Sequence, residues 1–281
     1  MATFRGTDGT LLAYHRAGAG TPLVCLPGGP MQASAYLGDL GGLTARHELV
    51  TLDLRGTGES AVPADTTTYR VDRQVGDVEA LRAHLGLARM DLLGHSAGGT
   101  LAILYATRYP DRIGRLVLVV PSARAADLEI ADADRRAVAE LRRGEPWFAD
   151  AYAAFERIWS GAPTDADWTA ITPFTYGRWD EAARANAARE AAQINDEAAA
   201  GYYAPGAVDA PAVRSALAGL GVPVLLVSGE YDVALPPKRA AAYAGLFARA
   251  EHAVQPGGGH FPWLGDPGWF VRTVTTFLAR P

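Results

Sequence analysis

Residues 90–106 read MDLLGHSAGGTLAILYA. Met90–Gly94 is an apolar run of strand length, and Ala97–Tyr109 carries apolar residues at helical spacing. Between them lies Gly94-His95-Ser96-Ala97-Gly98, a match to G-x-S-x-G in the strand-to-helix setting that gives the motif its meaning. A turn this tight strains the serine backbone, and side chains at Gly94 or Gly98 would collide with the neighbouring strand and helix. The strain points the Ser96 hydroxyl out of the carboxyl end of the sheet, beside a helix N-terminus. A strand feeding a helix in this way is the repeating unit of a parallel α/β sheet.

The same alternation extends in both directions. Further strands are expected at Leu23–Leu26, Leu49–Leu54, Arg115–Val120, Val222–Ser228 and His252–Gln255, and further helices at Arg70–Leu85, Pro237–Phe247 and Pro267–Leu278. Near-continuous apolar strands alternating with helices indicate a parallel sheet covered on both faces. Thr7-Asp8-Gly9-Thr10 separates two short runs, and its Asp-Gly pair signals a hairpin that would add antiparallel strands at one edge. Between about Arg124 and Pro211 the strand pattern stops and alanine-rich helical segments take over. Four of the six tryptophans lie there: Trp147, Trp159, Trp168 and Trp179. We read residues 1–123 and 212–281 as a core domain and residues 124–211 as a helical cap inserted into it. The tryptophans either glue the cap together or meet a substrate beneath it.

Composition narrows the function classes. The chain has 281 residues, 49% hydrophobic and 20% charged, which suits a substantial apolar core. Its net charge of −5 comes from interspersed acids and bases, with no like-charge run to form a footprint for nucleic acid or an anionic membrane. Cys25, the single cysteine, lies in an apolar run, so neither an intramolecular disulfide nor a cysteine-based metal site is expected. No apolar stretch approaches membrane-spanning length, and the N-terminus lacks the apolar core of a secretion signal; a cytoplasmic location is the expectation. The expected partner is a small-molecule or short peptide substrate.

A serine hydroxyl is a weak nucleophile until a base takes its proton. Six histidines are available. His95 adjoins the serine, so its ring should point elsewhere; His15, His47, His84 and His252 fall on the hairpin, a loop, a helix and a strand. His260 stands in the loop PGGGHFPWLGDP after the last strand, where three glycines let the backbone bend toward Ser96. It is the candidate base. The carboxylate that fixes its tautomer should come from LLVSGEYDVALPP, where Asp232 lies further into the loop than the alternative, Glu230. Two N–H groups are expected to hold a developing oxyanion: Ala97, directly after the nucleophile, and Gly29 in the loop PGGPM. The chain order Ser96, Asp232, His260 is that of one serine hydrolase fold and not of the others.

These residues, with PGGP, DLRGTGES, GHSAGG, GEYD and GGGHFPW in that order along the chain, resemble the α/β-hydrolase superfamily over nearly the whole sequence. The resemblance implies a mostly parallel eight-stranded sheet flanked by helices, with an inserted helical cap, and a serine hydrolase needing no cofactor or metal. The chain is most similar to the proline iminopeptidase-like branch, which has an HGGPG loop and a D-x-R-G-x-G-x-S turn. Pro27 and Met31 stand where that loop has histidine and glycine, and GHSAGG stands where the branch usually has GGSWGS. The resemblance implies an aminopeptidase whose cap carboxylates hold a free amino group. Trp179, Asp180, Glu197 and Trp147 are the candidate substrate contacts. An esterase, lactonase or thioesterase acting on a small apolar metabolite is the alternative, and a non-hydrolytic catalyst or receptor on the same fold is a third.

Overall fold

The computed structural model describes residues 1–280. Eight strands, β1 (Ala2–Arg5), β2 (Leu11–Ala17), β3 (Pro22–Leu26), β4 (Glu48–Leu52), β5 (Met90–His95), β6 (Ile113–Val119), β7 (Val224–Gly229) and β8 (Ala250–Gln255), form one sheet. Their spatial order is β1-β2-β4-β3-β5-β6-β7-β8. β2 pairs antiparallel with both β1 and β4, and all other neighbours are parallel. The expected hairpin is the antiparallel edge: Arg5 faces Leu11, and the Gly6 N–H donates to the Thr10 carbonyl at 2.9 Å. The eight-stranded, mostly parallel architecture is therefore as the sequence led us to expect.

The near-continuous apolar strands are explained by the period of two along each. Val24 and Leu26, Leu116 and Leu118, and Val224 and Leu226 point into one core. Their neighbours Leu23 and Cys25, Val117 and Val119, and Leu225 and Val227 point into the other. The first core is covered by α1 (Val71–His84) and α2 (Ala97–Arg108), through residues such as Val75, Leu81 and Leu101. Both faces of each inner strand are thus dry, which parallel sheets require.

From β6 to β7, among the described residues, the chain forms no strand beyond a single bridge between Gln32 and Ile194. It carries α3 (Asp132–Glu140), α4 (Phe148–Trp159), α5 (Asp165–Ala170), α6 (Glu181–Glu190), α7 (Asp196–Tyr202) and α8 (Ala210–Gly219). Part of this segment has its own small core, where Val138, Ala151, Phe155 and Phe174 meet Val233 of the loop after β7. The rest is fused to the main core. Ala198 and Tyr202 of α7 are buried in it, and the Tyr202 hydroxyl donates to the Ala97 carbonyl at 3.0 Å. The expected boundary at residue 211 falls in the first turn of α8, whose N-cap Asp209 accepts from the Ala212 N–H. Three helices complete the chain: α9 (Pro237–Ala244), α10 (Pro262–Gly265) and α11 (Pro267–Leu278), the last packing Phe270, Val274 and Phe277 into the second core. Among the described residues no helix is long and apolar enough to cross a membrane.

Candidate active site

Ser96 occupies the turn between β5 and α2 with φ +51° and ψ −119°, a conformation that costs an L-residue on the order of 1–3 kcal/mol. The surrounding chain holds it there. The Ser96 N–H donates to the Val119 carbonyl, and its own carbonyl accepts from Gly99 and Ser122. Glycine is required on two sides of this turn. A Cβ on Gly98 would run into the Leu26 and Pro27 carbonyls, and one on Gly28 would stand 2.8 Å from the Ser96 Cβ. The side chain that the turn holds up is the serine hydroxyl.

His260 Nε2 lies 2.9 Å from Ser96 Oγ, and His260 Nδ1 lies 2.9 Å from Asp232 Oδ2. A carboxylate accepts only, so Nδ1 carries the proton and Nε2 is free to accept from the serine. Asp232 is 1% exposed, and its other oxygen accepts the N–H groups of Ala234 and Leu235, so the loop after β7 fixes the carboxylate. Glu230, the alternative, accepts instead from the Gly257 N–H and braces the loop that carries His260. Burial pulls the imidazole pKa down, but the charge and hydrogen bond of Asp232, with help from the charge of Glu190, carry it above the ordinary histidine value. Among the described residues neither the Gly29 nor the Ala97 N–H donates to a protein acceptor. Gly29 and Ser96 line the same cavity.

A second relay runs behind this one. The Gly28 N–H donates to the Tyr36 oxygen at 2.7 Å, Tyr36 and His95 Nδ1 are 2.7 Å apart, and His95 Nε2 lies 2.9 Å from the His260 carbonyl. A carbonyl only accepts, so His95 carries its proton on Nε2 and takes the tyrosine proton on Nδ1. Burial and the neighbouring His260 push the His95 pKa well below the ordinary value, which keeps the ring neutral. The chain of bonds therefore ties the Gly28–Gly29 loop to the backbone of His260.

The cavity above Ser96 has a volume of about 530 Å³, enough for a small substrate. Its walls come from the loops after β6 and β7 and from α3, α4 and α5, with Val120, Ile130, Trp159, Trp168, Ile171 and Leu235 supplying apolar surface. Among the described residues no group of three His, Cys, Asp or Glu is arranged to hold a metal ion.

A sequence model of the alpha/beta hydrolase fold matches residues 21–267. The chain belongs to that family. It is 37% identical over 128 residues to the 1-acylglycerol-3-phosphate O-acyltransferase ABHD5 of Homo sapiens, which is 45% of this chain and 37% of that protein. It is 34% identical over 112 residues to a proline iminopeptidase of Heyndrickxia coagulans, 40% of this chain and 39% of that one. The matches to these curated relatives thus span less than two fifths of their length. Over 99% of this chain and 97% of the other, the structure is similar to that of a thermophilic esterase from Thermogutta terrifontis, with a TM-score of 0.70 and 26% identity.

In this alpha/beta hydrolase the four expected substrate contacts lie outside the cavity. Trp147 meets Phe174 edge-on under the Arg142 guanidinium, inside the small core of the helical segment. Trp179 packs on Tyr176. Asp180 accepts from the Ala183 N–H and caps α6, and Glu197 is exposed in the first turn of α7. A carboxylate at a helix start is drawn to the free N–H groups there, and that local pull outcompetes a reach toward the cavity. The sequence reading missed Arg124 and Arg135, which line the cavity, and Glu190, which is not among its lining residues but whose charge acts on His260. Glu190 accepts from Asn186 Nδ2 at 2.7 Å and from the Tyr176 hydroxyl at 3.4 Å. Burial pushes its carboxyl up to about 7.

Proposed function

We propose that the chain is a serine hydrolase that cleaves a carboxylic ester or lactone of a small substrate through an acyl-enzyme, with residues 124–211 as its cap. The observation that carries this reading is the unbroken line from Asp232 through His260 to Ser96, opening into a largely apolar cavity. His260 Nε2 takes the Ser96 proton as Oγ bonds to the carbonyl carbon, and the Gly29 and Ala97 N–H groups receive the negative oxygen. As the carbon–oxygen bond breaks, His260 gives the proton to the leaving alcohol, and the acyl group stays on Ser96. Water then attacks with His260 again as base, and a carboxylic acid and the free serine result. No cofactor enters these steps.

The aminopeptidase alternative calls for a free carboxylate to hold a substrate ammonium. Among the described residues Asp232 is the only acid lining the cavity, and both its oxygens are already engaged. The charge there favours the ester or lactone reading. A fluorophosphonate probe should label the protein and fail to label Ser96→Ala, and a p-nitrophenyl ester should turn over faster than a proline arylamide. Labelling or turnover retained by Ser96→Ala would overturn the mechanism, and preferential cleavage of the arylamide would restore the aminopeptidase.

A further inference from the structure

We propose that the substrate's acyl part carries a carboxylate, and that Arg135, with Arg124 as a second cation, is the group that receives it. The inference rests on the serine hydrolase reading of Ser96 and adds a substrate class to it.

The charges lining the cavity do not balance. Two guanidinium groups face one carboxylate, and Asp232 is held by His260 on one oxygen and by two backbone N–H groups on the other. Arg135 is the telling member. The residues on either side of it in α3 are paired: Asp134 with Lys238 and Arg239, and Arg136 with Glu156. Among the described residues Arg135 itself has no carboxylate within ion-pair distance. Its Nη1 is fixed by the Val233 carbonyl at 2.6 Å and the Ala234 carbonyl at 3.2 Å, in the loop that carries Asp232. Its Nε is buried and meets no acceptor, and its Nη2 donates to none among the described residues.

A half-buried cation with no ion-pair partner, on which the charges of Asp232 and Asp132 act only from farther off, is expensive to keep. The face of Trp159, 5.1 Å away, offsets part of that cost but cannot supply hydrogen-bond acceptors. A planar guanidinium fixed at Nη1 and without an acceptor on Nη2 is a group that pairs a carboxylate well. Arg124 lies over the Tyr203 ring at 4.8 Å, has no ion pair among the described residues, and adds to the field at the same cavity. The apolar residues that share the cavity with these cations and Ser96 suit the methylenes of an acyl chain ending in a carboxylate.

The test compares mono-4-nitrophenyl adipate with 4-nitrophenyl hexanoate, esters of equal chain length that differ in the terminal charge. The wild type should favour the adipate ester in kcat/KM by about tenfold or more, the value of a charge-assisted pair. Arg135→Gln should bring the ratio to near one, and Arg124→Gln should lower it less. No preference in the wild type, or an equal loss for both esters in Arg135→Gln, would overturn the proposal and leave Arg135 as a brace for the Asp232 loop. Quenching of tryptophan fluorescence by adipate against hexanoate, measured in the wild type and in Arg135→Gln, reads the anion site without turnover. If neither ester is cleaved and the fluorophosphonate fails to label, the hydrolase reading is lost. Adipate quenching that depends on Arg135 would still support the anion site, and its absence would sink that too.

Discussion

Two glycine-rich turns leave the sheet at the carboxyl ends of parallel strands, Asp53–Ser60 after β4 and Gly94–Gly99 after β5, and they put polar side chains to opposite uses. In the first, the buried polar side chains are all consumed. Asp53 accepts from the Ser34 N–H and hydroxyl, the Glu59 N–H and His15, and Ser60 bridges the Asp53 carbonyl and the Ala13 N–H. Arg55 is 2% exposed and pairs with Asp77 through two bonds, with Asp8 and Thr68 alongside. In the second turn, the Ser96 hydroxyl meets one side chain, His260, and looks into a cavity. A saturated turn braces the fold; an unsaturated one is available for chemistry.

The largest effect should separate the two turns outright. Ser96→Ala should lower p-nitrophenyl ester turnover by about 10⁴-fold or more while the urea midpoint stays where it was. Arg55→Leu should do the reverse. It leaves Asp77 buried without its partner, so stability should fall by about 3–5 kcal/mol, while the folded fraction still takes the fluorophosphonate label at the wild-type rate. A stable, inactive Arg55→Leu protein would mean that the first turn also serves the reaction and that the two turns do not divide bracing from chemistry.

A smaller effect tests the bridge between the Gly28–Gly29 loop and His260. Tyr36→Phe removes the hydroxyl shared by the Gly28 N–H and His95, leaving a buried donor and a buried acceptor without partners. We expect kcat to fall about tenfold with KM little changed, because loop and base would no longer be held in one register. A protein that is merely less stable, with unchanged kcat per labelled site, would make the bridge structural only.

The contrast also explains what the sequence could reveal. Turns are local, so glycine spacing and the position after a strand were enough to single out Ser96, Asp232 and His260 as candidates. Strand ends were less legible, because Asp53 leaves β4 to collect tertiary hydrogen bonds that no local pattern displays. The cavity walls were not legible. Asp134, Arg135 and Arg136 sit in one charged run, and only the rotation of α3 decides which of them lines the cavity. Asp180 and Glu197 looked like ligands for an amino group because their types fitted, yet helix starts claim such residues first. Glu190 carries no motif at all; its partial burial beside Asn186 and Tyr176 is what makes it unusual.

Glu190 gives the smallest effect and the finest test, because it lies behind the reactive turn without belonging to it. Its negative charge helps to raise the His260 pKa, and the reaction needs that imidazole neutral. In Glu190→Gln the acid limb of the pH–rate profile should therefore move to lower pH, so that more activity survives on the acid side. The same substitution should alter stability with the opposite pH trend. A carboxyl held near 7 when folded and near 4.5 when unfolded favours the fold fully below 4.5, and that contribution is lost as pH rises through 7. Glu190→Gln should thus be more stable than the wild type by about 2 kcal/mol at pH 8, with the gain vanishing toward pH 4.5. A limb that stays in place while the stability gain appears would show a carboxyl whose field does not reach the base.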